Sequence, residues 1–142
     1  MKYFAVLTCM LLATPLLAQN LPDAGYFTGS YELVGRAPGP QADYINDQII
    51  LQAEDDTHFT LKSCHHGTGR VKIGYDQSLP EGASPLTGTL GEWQLHCRFI
   101  NDGDNYPRLT CIAETEDDTE EAGLLTLWPN YLGASELTEV CE

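Results

Sequence analysis

The sequence is poor in basic residues, with 7 Lys and Arg against 21 Asp and Glu and a formal net charge of −14 at pH 7. Nucleic acids and anionic lipid surfaces are therefore poor partners, because both repel such a chain. We instead expect a protein partner with a basic surface, since opposite charges speed the encounter of two proteins. Beyond residue 18, no apolar run approaches the roughly 20 residues that a transmembrane helix needs, so no membrane span is predicted.

The sequence also lacks the short motifs that mark common enzyme and cofactor sites. It contains no Gly-x-Ser-x-Gly elbow, no phosphate-binding glycine loop, no His-Glu-x-x-His pair and no Cys-x-x-Cys pair. Its carboxylates are too numerous for any one pair of them to indicate a glycosidase. We therefore expect a protein that is not an enzyme and that carries no cofactor.

The first 18 residues have the composition of a secretory signal peptide. Lys2 precedes an apolar run over Phe4–Leu12, Pro15 interrupts the segment, and Ala18 is a small residue at its end. We predict cleavage after Ala18, which leaves residues 19–142 as a single secreted domain. The expected location is periplasmic or extracellular.

Four cysteines remain after this cleavage, namely Cys64, Cys97, Cys111 and Cys141. An even number of cysteines in an exported chain indicates disulfides, here two of them. Four cysteines allow three pairings. The alternation of apolar and polar residues puts Cys97 and Cys111 each on the apolar side of its segment, which favours a bridge between them. Cys64 would then pair with Cys141.

Short segments that alternate apolar and polar residues run through the rest of the chain, separated by turn residues. This pattern predicts an all-β domain, a small antiparallel barrel, with a two-sheet β-sandwich as the alternative. Inward positions are predicted to include Phe27, Tyr31, Val71 and Tyr75, and Ala134–Val140 has helical potential. The eight predicted strands are Phe27–Val34, Gln48–Ala53, Thr57–Ser63, Arg70–Tyr75, Leu86–Leu90, Glu92–Ile100, Tyr106–Ala113 and Gly123–Trp128.

The segment Phe27-Thr28-Gly29-Ser30-Tyr31 opens this predicted barrel. It resembles the Gly-x-Trp opening strand of lipocalin-like (calycin) barrels, with Tyr31 at the Trp position. Similar openings occur in small bacterial periplasmic barrels that inhibit proteases or lysozymes, and an exported, disulfide-bonded chain of this size is similar to those inhibitors. We therefore expect an exported domain that binds a protein, with inhibition of a hydrolase as a more specific hypothesis. A periplasmic β-barrel that binds a small ligand or a metal is the alternative.

Two adjacent histidines, His65 and His66, lie where the third and fourth predicted strands turn. Imidazole nitrogens bind Zn²⁺ and Cu²⁺ at neutral pH, so this turn is a candidate metal site. His96 is a further ligand only if its strand is adjacent. Exposed turn histidines beside a disulfide are the simpler interpretation.

The strands and connections of the predicted barrel carry three further patterns. The segment Leu124–Pro129 is apolar on both sides of its strand, which predicts either deep burial or an exposed lipophilic patch. Arg98 and Arg108 fall on outward positions, where we expect them to pair with surrounding carboxylates. Residues 114–121 carry six carboxylates, which predicts a solvated loop.

Overall fold

The computed structural model describes residues 22–76, 78, 83–100, 107–117, 119–130 and 141. The predicted signal peptide and the predicted helix Ala134–Val140 lie outside these residues. Within the described ranges, no helix has the length and apolar character needed to span a membrane. A short 3-10 helix, Ala24–Phe27, precedes the strands, which are β1 Gly29–Arg36, β2 Tyr44–Ala53, β3 His58–Ser63, β4 Thr68–Ile73, β5 Ala83–Leu90, β6 Trp93–Ile100, β7 Leu109–Glu114 and β8 Gly123–Asn130.

The strands close into a barrel. Each strand pairs antiparallel with the next one along the chain, and β8 pairs antiparallel with β1, from Ser30 opposite Asn130 to Arg36 opposite Leu124. Gly35 permits the close approach of these two strands, because a Cβ atom there would lie 2.1 Å from the Leu124 carbonyl oxygen. The predicted antiparallel barrel is confirmed, and the alternative sandwich is not formed.

Alternation along the strands fills the barrel interior with apolar side chains. On β7, Leu109, Cys111 and Ala113 face inward and are buried, whereas Thr110 and Ile112 are exposed. An eight-stranded barrel has an interior just wide enough for side chains to fill it. The other large members of this core are Phe27, Tyr31, Leu33, Ile49, Leu51, Phe59, Leu61, Val71, Leu86, Leu90, Leu95, Phe99, Leu125 and Leu127.

The 3-10 helix covers one end of the barrel. The backbone N–H of Ala24 donates to the carbonyl oxygen of Asp56 in the β2–β3 turn at 2.9 Å, which fixes the helix against the barrel. The ring of Phe27 enters the core, with its centroid 5.6 Å from that of Phe59 and 5.2 Å from that of Phe99. A residue that precedes the first strand therefore forms part of the core.

Two disulfides connect the pairs that the alternation of the sequence favoured. Cys97 and Cys111 lie opposite each other on β6 and β7, and their disulfide is buried inside the barrel. Cys64 follows β3 and pairs with Cys141, across a sequence separation of 77 residues. Two disulfides are compatible with an oxidising compartment, as expected for an exported chain.

Several bounds of the predicted strands were wrong; β2, for example, begins at Tyr44 and not at Gln48. Phe27 does not begin β1 but ends the 3-10 helix, which starts after Asp23 because the Asp23 carboxylate accepts a hydrogen bond from the Tyr26 N–H at 3.0 Å. Tyr75 was expected to face inward, but β4 ends at Ile73 and the Tyr75 side chain is 56% exposed. Of the other predicted inward positions, Tyr31 and Val71 are buried and Ile73 is partly buried.

Candidate binding site

A groove of about 450 Å³ lies on the outer surface of the barrel across β6, β7 and β8. We refer to this groove together with the adjacent Trp128 as the β6–β8 face. Apart from the inward-facing Cys111, the lining residues point outward from the barrel. The groove is lined by His96, Arg98, Arg108, Thr110, Cys111, Ile112 and Leu124.

The apolar part of the β6–β8 face follows from the pattern of β8. Leu125 and Leu127 face the core and are buried, so the residues that alternate with them face solvent. Leu124 is 58% exposed and Trp128 is 45% exposed. Of the two alternatives predicted for this apolar segment, the exposed lipophilic patch is the one found.

The strand register joins these apolar side chains into one strip. Ile112 on β7 lies opposite His96 on β6 and opposite Leu124 on β8, and its side chain is 49% exposed. Directly opposed residues have their Cβ atoms about 4.5–5.5 Å apart, so these three side chains are in reach of one another. Contiguous apolar surface of this kind is typical of interaction sites.

The same face carries positive charge. Arg98 and Arg108 contribute two guanidinium groups to the groove lining. The guanidinium carbon of Arg108 lies 4.9 Å from the centroid of the Trp128 ring, in a cation–π contact. The β6–β8 face thus combines apolar side chains with cations in a strongly acidic protein.

Carboxylates lie at the border of the β6–β8 face. The Nε2 atom of His96 is 3.6 Å from a carboxylate oxygen of Glu114. The pKa of Asp76 is lowered, chiefly by hydrogen bonds from Ser78 and further by the positive charge of Arg98. These contacts are solvent-exposed, so we expect each to contribute little to stability.

A separate polar cluster lies at the end of the barrel where β3 turns into β4. Asp47 faces inward there, is 4% exposed, and accepts hydrogen bonds from the Gln48 N–H at 2.8 Å and the His65 N–H at 3.2 Å. It also accepts hydrogen bonds from the Ser63 hydroxyl and from Nδ1 of His65, the latter at 2.8 Å. The Ser63 oxygen in turn accepts the His66 N–H at 2.8 Å. These bonds fix the β3–β4 turn to β2.

The order of these groups differs from that of a Ser–His–Asp catalytic triad. In a triad the histidine lies between the other two residues and takes the serine proton. Here Asp47 lies between Ser63 and His65, and its carboxylate accepts a hydrogen bond from the Ser63 hydroxyl. The arrangement therefore stabilises a turn and does not have the order of a catalytic triad.

The hydrogen bonds to Asp47 determine its charge state. Burial by itself raises the pKa of this carboxyl group, but the hydrogen bonds from Ser63, His65 and Gln48 together outweigh burial and lower the pKa. The folded state therefore favours the carboxylate over the protonated acid. By linkage, the resulting stabilisation is present above the pKa of an unfolded Asp, about 3.9, and is lost as the pH falls through the lower folded value.

Replacing Asp47 by asparagine should lower the free energy of unfolding at neutral pH by about 2–3 kcal/mol. An amide has one acceptor oxygen. Its NH₂ group would face the N–H and O–H donors that now bond to the second carboxylate oxygen. Urea unfolding at about pH 7 and about pH 3 measures the effect, and the difference from wild type should shrink at the lower pH. The matched variant Asp43→Asn removes an exposed carboxylate, and an equal loss in both variants would contradict this prediction.

The two histidines proposed as metal ligands face different surroundings. Nδ1 of His65 contacts Asp47, while 77% of the His65 side chain is exposed. The His66 ring lies 4.7 Å from the ring of Trp93. His96 lies on β6, which pairs with β5 and β7 and is not adjacent to β3. Among the described residues, no group of three or more His, Cys, Asp or Glu is arranged to hold a metal ion. The two-histidine site stays a prediction.

No protein-family model matches the chain, and no curated protein matches it. Among solved structures, the chain is similar to a redesigned β-barrel, with 13% sequence identity and a TM-score of 0.51. The match covers 80% of this chain and 99% of that one. The fold is a small β-barrel. A likeness at this level of identity shows the fold alone and carries no function with it.

Sequence reasoning missed the two features that organise these sites. Asp47 was assigned to the connection before the second strand, although its spacing of two from Ile49 puts it on the inward side. Ile112 was not singled out, although its position between the inward Cys111 and Ala113 makes it an apolar residue on an outward position. Outward apolar residues on paired strands are the pattern that identifies the β6–β8 face.

Proposed function

We propose that this protein is an exported, non-enzymatic binding domain that engages a protein partner through the β6–β8 face. The observation that supports this proposal is the exposure of Ile112, Leu124 and Trp128 beside a groove on one side of the barrel. The side chains project from paired strands of a closed barrel, so little conformational freedom is lost when a partner binds. Large aromatic and aliphatic side chains on a rigid surface are typical of the energetic centres of interfaces.

Replacing Leu124 by glutamate should reduce partner binding by about tenfold or more, because a charge then lies within the apolar strip. The oxidised protein, immobilised and exposed to envelope and culture extract of its source, provides the measurement. The amount of each retained protein is compared between wild type and Leu124→Glu by mass spectrometry. A genuine partner is retained by wild type and lost with the variant.

The matched control is Gln52→Glu, which adds the same charge to an exposed position on β2. Retention should be unchanged in this variant. Circular dichroism and the urea midpoint show whether both variants keep the fold. A protein that is retained equally by wild type and by Leu124→Glu does not bind the β6–β8 face, and if all retained proteins behave in this way the proposal is wrong.

We further propose that the protein partner is a hydrolase that this domain inhibits, and that the barrel is related to lipocalin-like barrels. Tyr31, at the Trp position of the lipocalin-like opening, is buried and its hydroxyl donates to the Phe27 carbonyl oxygen at 2.8 Å, which supports a structural role for this position. An inhibitor must reduce the activity of the hydrolase it retains. A retained partner with no hydrolase activity would contradict that part of the proposal and leave protein binding intact.

Metal binding at the β3–β4 turn is the second candidate function, and one contact favours it. Metal-ligating histidines usually donate their second ring N–H to a carboxylate or carbonyl oxygen, and Nδ1 of His65 lies 2.8 Å from Asp47. The Nε2 side of the ring is then available to a metal. The experiment compares the melting temperature of the protein with Zn²⁺ and with a chelator. Metal binding at the turn should raise the melting temperature with Zn²⁺, whereas protein binding through the β6–β8 face requires no difference between these two conditions.

A further inference from the structure

We propose that the Cys64–Cys141 disulfide is a site of thiol–disulfide exchange, at which an external dithiol opens the bond while the barrel stays folded. The Cys97–Cys111 disulfide, in contrast, opens only when the barrel unfolds. This inference goes beyond the proposed function and does not depend on it, because the exchange site lies at the β3–β4 turn and not on the β6–β8 face. The two disulfides of the chain therefore have different roles.

The two disulfides differ in their access to solvent. Cys141 is exposed and Cys64 is only partly buried. Cys97 and Cys111 lie inside the barrel and are 4% and 1% exposed. Exchange begins when a thiolate attacks one sulfur atom of a disulfide, so its rate depends on access to that atom. A dissolved thiolate therefore reaches the Cys64–Cys141 bond in the folded protein but does not reach the Cys97–Cys111 bond.

The exposed Cys141 is the residue at which exchange starts. A thiolate of the dithiol attacks Sγ of Cys141, the disulfide breaks, and Cys64 leaves as a thiolate. The second thiol of the reagent, as a thiolate, then attacks the reagent sulfur of this mixed disulfide and releases Cys141. The protein disulfide gains two electrons, and the dithiol is oxidised to a disulfide. The two protons of the dithiol pass to the two cysteine thiolates, directly or through water.

The barrel does not need the Cys64–Cys141 bond in order to stay closed. Its strands are joined by backbone pairing all the way round, with β8 against β1. Backbone hydrogen bonds also hold Cys64 at the turn, since its N–H donates to the Gln48 carbonyl oxygen at 3.0 Å. The Ser63 N–H donates to the Gly67 carbonyl oxygen at 2.9 Å. Exchange therefore leaves a folded barrel with two free thiols.

Opening this bond changes the stability of the protein and not its fold. The disulfide closes a loop across a sequence separation of 77 residues and so restricts the unfolded chain. Its reduction returns this conformational freedom to the unfolded state, while the strand pairing of the folded barrel is unchanged. The redox state of one exposed bond therefore sets how easily this barrel unfolds.

Oxidised wild-type protein in about 1 mM dithiothreitol at about pH 8 provides the test. Samples taken over time are treated with iodoacetamide, and peptide mass spectrometry locates the alkylated cysteines. Cys64 and Cys141 should become alkylated at least about a hundredfold faster than Cys97 and Cys111. At this stage the circular dichroism spectrum should stay native, and the urea midpoint should fall to near that of the double variant Cys64→Ser/Cys141→Ser.

The dependence on unfolding separates direct attack on the folded protein from attack on the unfolded chain. Phe27→Leu removes a buried ring at the end of the barrel opposite the β3–β4 turn. It should speed reduction of the Cys97–Cys111 bond about fivefold or more and leave the rate at Cys64–Cys141 unchanged. Urea at a concentration below the unfolding transition should have the same selective effect on wild-type protein, so the test does not depend on one variant.

Three results would overturn this proposal. The first is reduction of both disulfides at the same rate, or of neither. The second is an equal acceleration of both reductions by Phe27→Leu or by urea, which would show that each bond opens only in the unfolded chain. The third is loss of the native spectrum as soon as the Cys64–Cys141 bond opens. With glutathione in place of the dithiol, the mixed disulfide should lie on Cys141, and a mixed disulfide on Cys64 would contradict the proposed direction of attack.

Discussion

Replacing Phe27 by alanine should lower the free energy of unfolding by about 3–5 kcal/mol, a large part of the 5–15 kcal/mol typical of a whole domain. The Phe27 ring is fully buried and contacts the rings of Phe59 and Phe99, which also face the barrel interior. Its removal leaves a cavity in the core. Because the strands are hydrogen-bonded into a closed barrel, they cannot move inward to fill that cavity. Equilibrium unfolding in urea measures the loss.

The Phe27→Ala variant isolates the contribution of the ring. The Phe27 carbonyl oxygen, which accepts the hydrogen bond from the Tyr31 hydroxyl, is part of the backbone and is retained in the variant. Tyr44→Ala is the control, because Tyr44 is 73% exposed and its truncation should change stability by less than about 0.5 kcal/mol. A similar small loss for Phe27→Ala would show that the 3-10 helix does not close the barrel in solution.

Replacing both Cys64 and Cys141 by serine should lower the free energy of unfolding by about 4 kcal/mol. The disulfide spans 77 residues of sequence and therefore restricts the unfolded chain strongly. Cys64 is only partly buried and Cys141 is exposed, so serine at these positions disturbs little packing. The effect should arise mainly in the unfolded state.

Two measurements separate this mechanism from a loss of native contacts. The double variant should keep the circular dichroism spectrum of the wild type, and its urea dependence should steepen because the unfolded chain exposes more surface. Wild-type protein under oxidising conditions is the reference. A double variant whose stability lies within about 0.5 kcal/mol of the wild type would contradict the prediction.

Alternation was the most informative property of the sequence. It placed Leu109, Cys111 and Ala113 on the inward side of one strand and thereby favoured the observed Cys97–Cys111 disulfide. Alternation is a local property, so it is visible without any knowledge of the neighbouring strands. The distinction between barrel and sandwich depends on the pairing of β1 with β8, which has no local pattern.

The candidate sites were harder to predict for a related reason. Asp47 is a residue type that strands disfavour, and the predicted second strand begins after it, yet its hydrogen bonds with Ser63 and His65 satisfy it within β2. The β6–β8 face depends on the register that brings Ile112 opposite Leu124. A one-residue change of register would move one of these side chains to the interior, so no single strand reveals the face.

The pairing of β1 with β8 also affects how the chain folds. Ser30 and Asn130, which meet in the β1–β8 pair, are separated by 100 residues of sequence. Until the last strand has been synthesised, β1 has only one of its two neighbours, and the unfinished sheet presents open edges to other chains. Pairings of such high sequence separation fold slowly. The interval before closure is therefore the period in which this chain is most prone to aggregate.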